Sequence, residues 1–145
     1  MNKVQIWSRL AERAQMQAAY ALMEVVAANW QLKKLASNEA SLHGLHADCS
    51  MRLRKVEGAS HKMSQYIMYR HYIGHVENLL QILAVAQTAA RETLALAQEK
   101  RSAAEIARVK MQHLTQYEAA KLQRARKTIE QRQMDNLAVA RFNLR

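Results

Sequence analysis

The sequence predicts an all-α protein: two long helices packed as one antiparallel hairpin of coiled-coil type. Three observations predict it. The 145 residues contain no proline and only three glycines, Gly44, Gly58 and Gly74, so little breaks a helix. Ala, Leu, Gln, Glu, Lys and Arg dominate, all of them helix formers. Apolar residues recur every third then fourth position over long stretches, the repeat of a helix that buries one stripe against a partner helix. Aromatics make up only 6% of the chain, and much of the apolar content is alanine, which suits a thin two-helix seam better than a thick core.

The first element follows from counting off that repeat from Val4. The positions are Val4, Trp7, Ala11, Ala14, Ala18, Ala21, Val25, Ala28, Leu32, Leu35, Glu39, Leu42, His46, Cys49, Leu53 and Val56, and all but Glu39 and His46 are apolar. A repeat this long marks a coiled-coil helix from about residue 3 to 57. With Gly44 between the two polar interruptions, the stretch from Ser37 to His46 is expected to be its weakest part.

The next element is the reversal, about residues 58–61. Gly58 can take the left-handed position at a helix C-terminus, and Ser60 can cap the helix that follows.

The second helix is expected over about residues 62–140. Its seam reads Tyr69, Ile73, Val76, Leu80, Leu83, then Ala90, Leu94, Ala97, then Ala104, Ala107, Met111, Leu114, and last Leu122, Ala125, Ile129. The changes of step near Arg101 and Glu118 read as stutters. At a rise of 1.5 Å per residue the helices span roughly 80 and 120 Å, so the second overshoots the first by roughly 20–25 residues. The whole chain, 1–145, reads as a single helical-hairpin domain.

Charge singles out that overshoot. The chain carries a net charge of +10, and residues 121–145 hold seven basic side chains against Glu130 and Asp135. Lys121, Arg124, Arg126, Lys127 and Arg132 form the densest part of it. Such a basic end attracts nucleic acid, anionic lipid or an acidic protein surface. The Asn and Arg pattern of a DNA-binding basic region is not recognisable around it, and its heptads are expected to pair within the chain. An alanine-rich seam lacks the broad bulky face of a membrane-surface helix.

Other constellations point away from chemistry. His71 and His75 are four apart, and His46 and Cys49 three apart, but no HExxH or CxxC pattern completes a metal site. There is no glycine-rich phosphate loop, nucleophile elbow or strand to wall a pocket, so no catalytic residue, metal, cofactor or small-molecule substrate is expected. The single Cys49 cannot form an intrachain disulfide, Arg9, Glu12 and Arg13 break any signal-like run, and no run is apolar enough to span a membrane. The cytoplasm is the expected compartment. Near the turn, Tyr66, Tyr69 and Tyr72 with Met63, Ile67 and Met68 offer either a cap for the hairpin end or an exposed face for a partner.

Three runs then carry a resemblance: LAERA from Leu10, YRHYIGHVE from Tyr69, and RQMDNLA from Arg132. In order, spacing and chain length the sequence resembles the FliJ family of the flagellar type III export apparatus. The resemblance implies a non-enzymatic stalk that binds the hexameric export ATPase through the basic end where the two termini meet. It also implies contacts with the membrane export-gate protein and with export chaperones. For the gate, it points to Tyr72, Val76, Leu79 and Leu83 on the second helix, with Asn38, Leu42, Leu45 and Cys49 opposite. The stalk of a virulence type III secretion system and a basic nucleic-acid-binding coiled coil stand as alternatives.

Overall fold

The computed structural model describes residues 3–58 and 63–144. Two helices make it up, α1 over Lys3–Gly58 and α2 over Met63–Asn143, and no strand occurs among the described residues. The β-branched threonines that would resist a helix are accommodated in it. Thr88, Thr93 and Thr128 each donate a hydroxyl hydrogen bond to the carbonyl four residues back, at 3.0–3.1 Å.

Gly58 corrects one expectation: it is the last residue of α1, and its φ is outside the left-handed range. A residue without Cβ tolerates either hand, and here it keeps the right-handed conformation of the helix it ends. The rest of the expected reversal, and the Ser60 cap, lie outside the described residues.

The chain forms two compact units, each a piece of α1 against a piece of α2. One comprises Leu22–Lys100. Its interior holds Val25, Ala28, Cys49 and Leu53 of α1 against Val76, Gln87 and Ala97 of α2. Val76, at 2% exposure, is the largest fully buried side chain, and burying a valine contributes about 1.5–3 kcal/mol. Direction is read from the polar ties between the helices. Glu24 pairs with Lys100, Glu39 with Gln87 and His46 with Glu77, so position falls on α2 as it rises on α1. The helices of this unit are antiparallel.

The other unit comprises Met1–Ala21 and Arg101–Arg145. Ala14 and Ala21 are buried, Val4, Trp7, Ala11 and Ala18 half-buried. Facing them, Ala104, Arg108, Met111, Thr115 and Glu118 are half-buried. The Thr115 hydroxyl sits 3.2 Å from the Trp7 carbonyl oxygen and 2.8 Å from that of Met111. A hydroxyl at a seam position thus stays satisfied while two backbones pass closely.

All sixteen α1 positions that the repeat picks out are buried or half-buried, Glu39 and His46 included. On α2 the repeat is corrected in three places. Gln87, between Leu83 and Ala90, is a seam residue at 8% exposure. In the unit of the chain ends, Arg108 and Thr115 hold the seam and Ala107 and Leu114 are exposed, so the expected changes of step vanish there. Leu122, Ala125 and Ile129 are exposed as well. For Gln87, Arg108 and Thr115 the reason is geometric: the facing stripe is fixed by the coiled-coil repeat and not by which neighbour is more apolar. Arg108 fits because its stem can lie along the seam while its guanidinium reaches Glu105 at 2.6–3.1 Å and Gln112 at 3.2 Å.

Candidate docking surfaces

Few side chains are buried among the described residues, and the candidate sites lie on the exposed faces of the two units. The Leu22–Lys100 unit presents one flank of particular composition. Met68, Tyr72, Leu79, Ile82 and Leu96 each stand one residue before a seam position of α2. One residue is about 100° of helical turn, so all five fall on the same side of the seam. They are 36–67% exposed. On α1, Leu45 stands one residue before His46 and is 43% exposed. Leu45, Asp48 and Arg52 of α1 line an open cleft with Met68 and Tyr72 of α2, over a floor of Cys49 and Tyr69.

Of the residues that the resemblance assigns to a gate contact, the structure brings some together on this flank and places others in the seam. Tyr72, Leu79 and Leu45 share the open flank, and Asn38 is exposed. Leu42 and Leu83 are half-buried in the seam behind it. Val76 and Cys49 are buried, so neither meets a partner while the seam is closed. Met68 belongs both to this flank and to the group near the turn, whereas Ile82 and Leu96 belong to the flank and were not singled out from the sequence. The signal for them is their place immediately before a seam residue. Of the aromatic group near the turn, Met63, Ile67, Met68 and Tyr72 are exposed, while Tyr66 and Tyr69 are half-buried. The Arg70 guanidinium lies 5.8 Å from the Tyr66 ring centre, a cation–π contact.

Polar groups pin the seam behind this flank. Gln87 donates to Glu39 at 2.5 Å. That hydrogen bond, aided by His43 and the charge of Arg91, holds the Glu39 carboxyl below its ordinary pKa, although desolvation works the other way. In the other unit the Arg108 hydrogen bonds likewise lower the Glu105 carboxyl.

The second candidate surface is the end of α2. Every described residue from 119 to 144 is exposed. Lys121, Arg124, Arg126, Lys127 and Arg132 are there, and among the described residues none of the five makes an ion pair. Apolar side chains are bare beside them: Ile129 at 54%, Met134 at 66% and Phe142 at 80% exposure. Among the described residues, no three His, Cys, Asp or Glu side chains gather as a metal site requires, and no helix is long and apolar enough to cross a membrane.

A helical hairpin with an apolar flank on one unit and an uncovered basic end on the other defines a coiled-coil protein with two candidate docking surfaces. The particular family follows from comparison with known proteins. The family model described as "Flagellar FliJ protein" matches residues 7–145, and the chain belongs to that family. Neither a curated protein nor a solved structure matches it. Membership makes it a component of the flagellar protein export apparatus, a type III secretion machinery.

Proposed function

We propose that this chain is the non-catalytic stalk of the flagellar export apparatus, binding the export ATPase hexamer through the basic end of α2. The observation that carries this reading is the exposed stretch after Glu118, where Lys121, Arg124, Arg126, Lys127 and Arg132 have no ion-pair partner among the described residues. Uncompensated positive charge on a helix end is suited to an acidic or polar ring lumen, where it both steers and orients docking. ATP hydrolysis belongs to the ring, and this chain contributes no catalytic group, cofactor or metal.

The apolar flank of the Leu22–Lys100 unit is read as the contact with the membrane export-gate protein. Tyr72, Leu79 and Leu45 are its surface anchors, and Val76, Leu83 and Leu42 hold them in place from the seam. Export chaperones are the third class of partner. The protein acts in the cytoplasm, peripheral to the membrane apparatus, and residues 1–145 work as one hairpin domain.

The test is co-sedimentation with the purified cognate ATPase hexamer. The parent chain is expected to pellet with the ring and raise its ATPase activity. Reversal of charge in Arg124→Glu, Arg126→Glu and Lys127→Glu together is expected to abolish both, with helicity unchanged. Retention of ring binding by that triple variant would remove the basic end from the interface. A Tyr72→Ala, Leu79→Ala variant keeps the ring and loses the gate.

A further inference from the structure

The seam does not end where its cover ends. In the unit of the chain ends the half-buried positions of α2 are Ala104, Arg108, Met111, Thr115 and Glu118, stepping by four and three. The same steps lead on to Leu122, Ala125 and Ile129. Up to Glu118 the stripe lies under α1; beyond it the same stripe is bare, with Leu122 37% and Ile129 54% exposed. Among the described residues nothing covers it.

We propose that the Lys121–Arg132 stretch of α2 receives one acidic amphipathic α-helix of a partner protein, which packs on Leu122, Ala125 and Ile129 as further layers of the same seam. Two observations choose this occupant. The first is continuity, since the bare stripe is in register with an interface already formed by α1. The second is charge. Lys121 and Arg124 stand one residue before seam positions and Arg126 one after, so cations border the stripe on both sides. Residues bordering a coiled-coil stripe are those that pair with the partner helix, and here they call for carboxylates. Glu130 is the only acidic residue between 121 and 132.

The same features weigh against other occupants. A second copy would set five like charges against five. Nucleic acid would use the cations and leave Leu122 and Ile129 bare. A lipid surface requires a broad bulky face, and this stripe is one residue wide. An unpacked single helix is marginal in water, so a covering helix also stabilises the end it binds. The inference rests on reading this end as the docking end, and concerns the chemistry of what docks there.

The test uses the full chain and a labelled synthetic peptide of about three heptads, with Leu and Ile on the stripe and Glu bordering it. Fluorescence anisotropy is expected to show saturable binding, and a peptide of the same composition in shuffled order is expected to bind at least tenfold more weakly. Leu122→Asp with Ile129→Asp is expected to weaken binding at least tenfold. Arg124→Glu with Arg126→Glu is expected to do the same, and to gain binding to a peptide bordered by Lys. Equal binding of the shuffled peptide, indifference to the Leu122 and Ile129 changes, or no binding would each overturn the proposal. So would self-association of the parent chain, or displacement of the striped peptide by duplex DNA, if either were lost with the Leu122 and Ile129 changes. Ring co-sedimentation of the Leu122→Asp, Ile129→Asp variant separates the two readings. If the peptide fails and the parent still binds the ring, the helix mode falls and the docking end stands.

Discussion

Glu39 shows how a polar residue can hold a place on a coiled-coil stripe. Its carboxylate accepts from Gln87 across the helix interface, and His43, one turn on along α1, lies 3.6 Å away. A carboxyl whose pKa is lower folded than unfolded stabilises the fold while it is ionised. That contribution is complete above the unfolded value and is lost as pH falls through the lowered folded one. Thermal melts of the parent and Glu39→Gln should therefore differ at neutral pH, the parent being more stable, and should converge as the pH is taken down through the lowered folded value. A gap that stays constant over that range would mean that ionisation of Glu39 is not what stabilises the pair.

At the scale of the element, one residue of offset decides between interior and surface. Val76 is a seam residue and 2% exposed, whereas Leu79, one residue before the seam position Leu80, is 36% exposed. Truncation of Val76 to Ala removes two buried methyl groups and should cost about 1.5–2 kcal/mol, more if a cavity persists. Leu79→Ala, at a residue 36% exposed, should cost less than Val76→Ala. Urea denaturation of the two variants checks this, and equal losses would place Leu79 in the seam with Val76. The same offset separates Thr115 from Leu114: the less apolar residue is half-buried because its Cβ faces α1.

At the scale of the molecule, the stretch proposed to bind the ATPase contributes no buried side chain among the described residues. No described side chain from 119 to 144 is buried, yet residues 121–145 carry half of the net charge of +10. A chain ending at Glu118 should keep the urea midpoint of the full chain, with total helical ellipticity reduced by the residues removed. It should also lose the ATPase. A marked drop in midpoint would mean that the end of α2 packs on the rest of the protein in solution.

The sequence by itself determined the two helices, because proline is absent and the apolar repeat is long, and it determined the buried face of α1, every position of which lies in or against the seam. It also marked the basic end, since charge is read directly from composition. Only the tertiary structure decided which α2 residues face α1. A stripe that includes Gln87, Arg108 and Thr115 is not the most apolar one available, and these three are kept by hydrogen bonds that hydrophobic counting does not register. It also decided where the seam loses its cover. Leu122, Ala125 and Ile129 read like any other seam residues, because a repeat shows which face a helix would bury and not whether anything is there to bury it.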